Sequence, residues 1–324
     1  MRKDIVKACA LVYPLEGSRL HTFAFVSHNW FFTHQNKKFA KIMQWNYLFS
    51  PAKVNLQLRV LGKGSDGYHQ LSSWMQVVHL GDRIRMRLGP EDCLSCSDAT
   101  LPQDNTNLFI QAVQLFRKKS GFPLFVEAII DKRIPVEAGL GGGSSNAATA
   151  LFGCNQLAKE QGWSSVPEEL LLDWAAEIGA DVPFFFSLGS ARCEGRGERV
   201  YSIPFSGKKT IWIVKPPFGL STRQVFHFLH LQNIQDLSRE SVWFNDLELP
   251  AFWLQPELAD FKRAAEILGA KVVMTGSGSA FVGEGPVPSL PKGWTGWTTC
   301  FIERQPGAWY EEEGADSTAM SFMG

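Results

Sequence analysis

An α+β fold is predicted, and three features of the sequence predict it. Strand-like segments adjoin one another early in the chain with no helix between them. Helical periodicity is concentrated in mid-chain, from 107 to 178. Two short strand-like runs then flank a glycine cluster near 275–279, so strict strand–helix alternation is absent. A length of 324 residues suits about two domains. A compositional change after Pro216-Pro217 puts a boundary near 200–215, giving domains of 43–205 and 206–305.

Asn46–Leu61 reads as a strand, with Val54, Leu56, Leu58 and Val60 alternating with other side chains. Gly62–Gly67 is a turn cluster. Leu71–Leu80 and Arg83–Leu88 read as two further strands, the second cleanly alternating. Asn107–Ser120 is an amphipathic helix that Gly121 can close. Leu124–Ile130 is a strand, and a helix runs from about Ser144 to Gln161. A further helix starts at Pro167, a favourable first helical residue, and reaches Ile178. Val182–Ser187 is too short and too apolar to assign. Lys209–Val214 is a buried strand, Pro256–Leu268 a helix ended by Gly269, and Lys271–Met274 and Ala280–Val282 short strands. From Pro306 the acidic, small-residue-rich tail (306–324) is expected to be flexible.

Charge is balanced, with 32 basic and 32 acidic side chains. No overall field attracts nucleic acid or an acidic membrane, so an anionic ligand must be held by local groups. No run of about 18 apolar residues is present, so no membrane span is expected. Six cysteines are scattered; Cys93 and Cys96 form a C-x-x-C with no answering pair, which disfavours zinc and leaves reduced thiols of a cytosolic protein. Residues 1–42 are basic and rich in aromatics (Phe23, Phe25, Trp30, Phe31, Phe32, Phe39) without clear periodicity. They form no good secretory signal and a weak transit peptide. Met43, just before the first clear strand, is the expected natural start, with 1–42 an extension outside the fold. The chain is read as cytoplasmic in a bacterium, ahead of a plastid stroma, and as a monomer or weak homodimer.

The segment Pro135-Val-Glu-Ala-Gly-Leu-Gly-Gly-Gly-Ser-Ser145 carries four glycines in five positions and runs directly into helix formers. Without Cβ atoms, successive backbone N–H groups can point into one concavity, and the following helix N-terminus adds unpaired donors and a positive dipole end. Ser144 and Ser145 add hydroxyls. The geometry suits a polyphosphate. It is not a P-loop, because no Gly-Lys-Ser/Thr ends it, and it lacks the context of a dinucleotide fingerprint. A glycine run alone could equally be a linker. With no lysine in the loop, positive charge must come from elsewhere, and Lys53, which interrupts an apolar strand, can supply it. A lone strand lysine is ordinarily solvated. Asp181, in Gly179-Ala-Asp-Val-Pro183 just past a helix end, can accept a hydroxyl proton or simply shape a turn. Thr275-Gly-Ser-Gly-Ser279 alone is a turn; paired with the first loop it can close over a ligand.

Together, Ser50-Pro-Ala-Lys-Val-Asn-Leu56, Asp66-Gly-Tyr-His69, the 135–145 loop, Gly179-Ala-Asp-Val-Pro183, Asn245-Asp-Leu-Glu248 and Thr275-Gly-Ser-Gly-Ser279 resemble, in order and spacing, the superfamily of galactokinase, homoserine kinase, mevalonate kinase and phosphomevalonate kinase. The resemblance covers about Trp45 to Ile302. The Asp-Gly-Tyr-His segment narrows it to the branch acting on a cytidine-diphosphate-linked methylerythritol in the non-mevalonate isoprenoid pathway. The resemblance implies a two-domain kinase fold, with a ribosomal-S5-domain-2-like N-terminal part and a ferredoxin-like C-terminal part. It implies γ-phosphate transfer from ATP, with magnesium expected, to the 2-hydroxyl of that substrate. By the same resemblance Asp181 is the catalytic base and Lys53 its partner. Pro135, Val136, Glu137, Ala138, Gly139, Leu140, Gly141, Gly142, Gly143, Ser144 and Ser145 surround the ATP phosphates, and Asn107 and Lys132 lie beside the nucleotide. Tyr68 and Phe226 sandwich the cytosine, His69 bonds its edge, and Asn55 and Thr222 contact substrate. Glu137, a negative charge beside the phosphate loop, is expected to point to solvent. The magnesium ligands are left unassigned. A sibling kinase without a nucleobase substrate, a catalytically silent sensor on the same fold and a nucleic-acid module are the rival readings; Tyr68, His69 and Phe226, the Lys53–Asp181 combination and the zero net charge respectively weigh against them.

Overall fold

Two sheets, each backed by helices, organise the computed structural model, which describes residues 44–65, 67–229, 243–312 and 320–323. The expected start at Met43, the 1–42 extension, Asp66 and part of the 306–324 tail lie outside those residues.

The first sheet contains β1 (Asn46–Lys63), β2 (His69–Leu88), β3 (Cys93–Cys96), β4 (Val126–Asp131), β5 (Ser190–Gly195), β6 (Arg199–Ser202) and β8 (Phe244–Asn245). Its main path runs β3-β4-β2-β1-β8. Strand β2 is long enough to take two partners end to end on one side: β5 along Leu71–Gln76 and β4 along Arg83–Leu88. The two strands expected over 71–80 and 83–88 are therefore one. The interruption between them is a bulge: pairing to β1 jumps from Pro51↔Gly81 to Ala52↔Val78. A bulge re-aims the side chains beside it, and Asp82 follows it directly.

The second sheet contains β7 (Thr210–Lys215), β9 (Lys271–Met274), β10 (Phe281–Glu284), β11 (Thr295–Cys300) and β12 (Met320–Met323), in the order β12-β11-β7-β10-β9, all antiparallel. Numbered among themselves, β7, β9, β10 and β11 lie in the order 4-1-3-2, the ferredoxin-like arrangement. The stretch from β10 to β11, which holds Pro286, Pro288 and Pro291, contains no helix. Proline there removes backbone donors and fixes φ against helix propagation.

Helices α1 (Leu108–Ser120), α2 (Gly142–Glu160) and α3 (Glu168–Ile178) cover one face of the first sheet. Phe109, Phe116, Leu151 and Trp174 there meet Phe49, Met75, Val77 and Ile84. The other face of β1 presents Ala52, Val54 and Leu56 to Ile211, Ile213, Val273 and Val282 of the second sheet. Alternation then sends Trp212, Val214, Met274 and Phe281 to the opposite face, against helices α4 (Thr222–His227), α5 (Glu248–Leu254) and α6 (Pro256–Ile267). The layers run helices, sheet, sheet, helices. Strand β1 is consequently buried on both faces, and Lys53 and Asn55, opposite in parity to Ala52 and Val54, point away from the second sheet.

Capping accounts for the helix limits. The Asn107 side chain accepts from the backbone N–H of Phe109 at 2.9 Å, and Gly121 closes α1 in the left-handed conformation at φ 71°. Helix α2 begins at Gly142, two residues earlier than expected, directly from Gly141 at φ 69°. Val182–Ser187, unassigned from sequence, contains a 3₁₀ turn, Pro183–Phe186, whose apolar side chains are all buried.

The expectation of a flexible tail from 306 does not hold for its described residues. Trp309 and Tyr310 are buried. The indole of Trp309 donates to the Phe49 carbonyl at 2.9 Å and stacks on Phe152, and the Tyr310 hydroxyl donates to the Ser187 carbonyl at 3.0 Å. Strand β12 pairs with β11. The acidic composition concealed two aromatic anchors with polar handles.

Candidate active site

The glycine loop leaves β4, crosses the edge of β1 and enters α2. Its shape is set by contact on both sides. A Cβ on Gly139 (φ 73°) would stand 2.2 Å from the Thr275 carbonyl oxygen, and one on Gly141 would stand 2.9 Å from Cγ of Lys53. Only glycine supplies both the left-handed conformation and this clearance. The Lys53 N–H donates to the Leu140 carbonyl at 3.0 Å, and the Ala280 N–H to the Ala138 carbonyl at 3.3 Å. The loop is thus clamped between β1 and the second glycine turn, 275–279, and the linker alternative is excluded.

A buried carboxylate anchors the loop from beneath. Asp82 is completely buried. Its Oδ1 accepts from the backbone N–H groups of Arg133 and Ile134 at 2.7 and 2.8 Å; its Oδ2 accepts from Lys132 Nζ at 2.7 Å and Asn146 Nδ2 at 2.9 Å. Asn146 also donates to the Ser50 hydroxyl, which shares a 2.9 Å hydrogen bond with the hydroxyl of Ser145. One carboxylate therefore ties the lead-in to the loop to the first turn of α2. Four donors to a desolvated anion satisfy it as a buried charge requires.

A cavity of about 330 Å³ lies over the loop, lined by Asn107, Lys132, Pro135, Val136, Glu137, Ala138, Gly139, Leu140, Gly141, Gly142, Gly143 and Asn146, with Leu101 and Pro102 opposite. Most of the residues expected beside a nucleotide meet here. Ser144 and Ser145 are not in its lining, and Ser145 is fully buried with its hydroxyl spent on Ser50. Lys132 reaches the wall while ion-paired to Asp82, and Asn107 lines it while capping α1. Glu137 is exposed, at φ 52°, with its carboxylate against Gly219.

On the other side of the same loop is a second cavity, of about 250 Å³, which shares Gly139 and Gly141 with the first. Lys53, Asn55, Ser73, Asp181, Arg196, Thr222, Phe226, Gly276 and Ser277 line it. Lys53 is buried; its Nζ donates to Asn55 Oδ1 at 2.6 Å and lies 3.3 Å from Asp181 Oδ2. Asn55 in turn donates to the Ser73 hydroxyl at 2.7 Å, and its N–H donates to the Thr275 hydroxyl at 3.0 Å. Asp181, about one-third exposed on its side chain, keeps an open flank toward the cavity. A lysine so placed between amide and carboxylate is held in one rotamer and aimed.

The second glycine turn is pinned by the Asn245–Glu248 segment. Asn245 Nδ2 donates to the carbonyls of Met274 and Gly276 at 2.6 and 2.7 Å, and Glu248 Oε1 accepts from the Met274 N–H at 2.9 Å. Burial pushes the Glu248 carboxyl upward, opposed by the Lys262 ammonium. Thr222 at the start of α4 shares a 2.8 Å hydrogen bond with Ser277 of the turn.

The aromatic residues take a different arrangement from a plain pair of facing rings. His69 stacks on Phe226, with centroids 5.0 Å apart, and the guanidinium of Arg196 lies 3.9 Å from the centre of the Tyr68 ring. Phe226 lines the second cavity; Tyr68, well exposed, and His69 stand beside it rather than in its lining. Burial first, and the Lys63 ammonium second, lower the imidazole pKa of His69 below 6.5. Sequence reasoning missed Asp82, concealed by the bulge, and Arg196, which sits in a turn between two strands that lack clear alternation.

Two cavities sharing a glycine-loop wall, with a buried lysine and a carboxylate lining one of them, define a small-molecule kinase. Residues 107–189 match the family model described as "GHMP kinases N terminal domain". A 4-diphosphocytidyl-2-C-methyl-D-erythritol kinase of Protochlamydia amoebophila is 48% identical over 272 residues, 81% of this chain and 92% of the relative. A chloroplastic enzyme of the same name from Oryza sativa subsp. japonica is 40% identical over 298 residues, 82% of this chain and 73% of the relative. A crystal structure of 4-(cytidine 5'-diphospho)-2C-methyl-D-erythritol kinase, 30% identical, superposes with a TM-score of 0.65 over 80% of this chain and 100% of that one. The chain belongs to the 4-diphosphocytidyl-2-C-methyl-D-erythritol kinase family.

Proposed function

We propose that the chain performs its family's reaction with Lys53 and Asp181 as the reacting pair. The reaction is ATP-dependent phosphorylation of the 2-hydroxyl of 4-diphosphocytidyl-2-C-methyl-D-erythritol, in non-mevalonate isoprenoid precursor biosynthesis. The observation that carries the assignment of roles is the position of the pair: Lys53 Nζ and Asp181 Oδ2, 3.3 Å apart, stand where the loop shared by the two cavities passes between them.

ATP occupies the first cavity, its phosphates over the backbone N–H groups of 139–143 and the N-terminus of α2. The acceptor occupies the second, its hydroxyl toward Asp181. The hydroxyl oxygen attacks the γ-phosphorus in line. The new O–P bond forms as the bridging O–P bond to the β-phosphate breaks, ADP leaves with the electron pair, and the hydroxyl proton passes to Asp181. Lys53 and the loop N–H groups spread the developing charge. Asn55 holds Lys53 in place, and Thr222 and Phe226 bound the acceptor.

Magnesium suits this donor set as a partly hydrated ion. Among the described residues, Asp181 is the one carboxylate lining the acceptor cavity, and no cluster of three or more potential ligands occurs. Magnesium accepts such a site because it binds through one or two carboxylates and phosphate oxygens and keeps waters. When bound it would neutralise phosphate charge; Asp181 would hold it through water, which leaves the carboxylate available for the hydroxyl proton.

The division of labour follows the sheets: residues 43–205 carry Lys53, the loop and Asp181, and 206–305 carry Thr222, Phe226 and the second glycine turn. A bacterial setting is supported by the Protochlamydia relative, which this chain matches over 92% of its length. The test is ADP release with the cytidine-diphospho-methylerythritol acceptor beside homoserine and mevalonate. Turnover confined to the cytidine compound is expected. Equal turnover of homoserine or mevalonate would overturn the reading.

A further inference from the structure

Among the described residues, two cations line the acceptor cavity, Lys53 and Arg196. Lys53 is buried beside Asn55 and Asp181, at the end of the cavity where the hydroxyl reacts. The acceptor carries a diphosphate between its base and its methylerythritol, and that charge needs a partner of its own.

Arg196 stands in the turn between β5 and β6, held by its N–H, which donates to Glu198 Oε2 at 2.7 Å, and by the Gly197 N–H, which donates to the Glu194 carbonyl at 3.1 Å. The next residue, Gly197, abuts the proton acceptor: a Cβ there would stand 3.4 Å from Asp181 Oδ1. On its other side the Arg196 guanidinium lies 3.9 Å from the centre of the Tyr68 ring. The turn therefore spans from the carboxylate that receives the hydroxyl proton to the aromatic group assigned to the base. In the acceptor, the diphosphate is the group that separates hydroxyl from base. A guanidinium braced on an aromatic face is preorganised and weakly hydrated, and its planar fork matches phosphate oxygens.

We infer that Arg196 binds the acceptor's diphosphate and so sets selectivity for a nucleoside-diphosphate-linked alcohol over an uncharged one. This assignment rests on the function proposed above. It separates binding of the diphosphate from the chemistry at Asp181 and from ATP on the far side of the loop.

The experiment compares wild type, Arg196→Ala and Arg196→Lys in steady-state kinetics, with CDP and cytidine as competitive inhibitors against the acceptor. In Arg196→Ala the acceptor KM should rise at least about tenfold, the loss of a charge-assisted phosphate contact. The ATP KM and kcat should stay within about threefold, on the same reasoning that the contact lies in the acceptor site alone. The wild type should be inhibited more strongly by CDP than by cytidine, and Arg196→Ala should lose most of that advantage, with Arg196→Lys intermediate. A merely structural role would move cytidine inhibition and the ATP KM as well. If wild type turns over the acceptor and Arg196→Ala keeps the full advantage of CDP over cytidine, the Arg196 assignment falls and the proposed function stands. If wild type does not turn over the acceptor, the function falls and this assignment with it.

Discussion

Lys53 and Asp181 are separated by more than a third of the chain and meet at 3.3 Å between a buried nitrogen and a half-open carboxylate. The asymmetry of burial divides their tasks. Lys53 cannot leave its place, because Asn55 holds it from the side and the loop closes over its stem. Asp181 is about one-third exposed on its side chain, open to a hydroxyl that gives up a proton. Asp181→Asn preserves shape and removes the proton acceptor, so kcat should fall by about 10²–10⁴ while ATP binding is kept. Nucleotide titration followed by single-turnover phosphate transfer measures both. Near-normal turnover would remove Asp181 from the role of base.

Asp82 makes a prediction of a different kind. It touches neither reacting group, yet it ties Lys132, Arg133 and Ile134 to Asn146 across the base of the loop. Asp82→Ala leaves a buried ammonium and two backbone N–H groups unpaired. The expected cost is about 3–5 kcal/mol of stability, together with a raised ATP KM. Asp82→Asn retains Oδ1 for the two N–H groups and should recover part of both. Chemical denaturation with ATP kinetics on the two variants checks this; equal ATP KM in wild type and Asp82→Ala would show that the loop holds its shape without the carboxylate.

His69 gives the expected pH dependence. Its folded pKa lies below the ordinary imidazole value of 6.5, through burial and then Lys63. Between that lowered value and 6.5 the unfolded chain binds more protons than the folded one. Stability from this group is therefore complete above 6.5 and is lost as pH falls through the folded pKa. At neutral pH the ring is uncharged, with one nitrogen donating and the other accepting, which suits the edge of a cytosine. An NMR titration should place the His69 midpoint below 6.5, and Lys63→Gln should move it up. A midpoint at or above 6.5 in the wild type would contradict the environment described.

What was legible in the sequence follows physical locality. The alternation of β1, the amphipathic face of α1 and the glycine loop opening α2 are local patterns, and each lies where it was expected. Lys53, Asn55, Asp181, Thr222 and Phe226 do converge on one cavity. The rest depends on pairing across the chain. The bulge at Gly81 makes one strand read as two and leaves Asp82 in the gap between them. Strands β5 and β6 are short and broken by a Glu-Gly-Arg-Gly turn, so Arg196 carried no periodic signal. Ser145 looked like a phosphate ligand because a helix N-terminus was in view, but the tight start of α2 at Gly142 turns its hydroxyl down to Ser50. His69 and Phe226 were assigned separate contacts with a base, and their own stacking was not visible from one-dimensional spacing.

The buried tail residues supply the last prediction. Trp309 fills the gap between Phe152 and Phe186, with centroid separations of 4.7 and 5.4 Å, and satisfies the Phe49 carbonyl next to Ser50. Arg304, completely buried on its side chain, bonds the carbonyls of Phe186, Ser187 and Ala308 and pairs with Glu168. Arg304 and the tail after it therefore clamp the 3₁₀ turn that follows Asp181 against the helices. Trp309→Ala should cost about 3–5 kcal/mol, the range for deleting a large buried aromatic. Because Phe186 is five residues from Asp181, kcat should fall more than the ATP KM rises. Thermal unfolding and steady-state kinetics on that variant decide the matter: an unchanged Tm would mean that the tail is not part of the folded core, and a lowered Tm with unchanged kcat would confine it to stability alone.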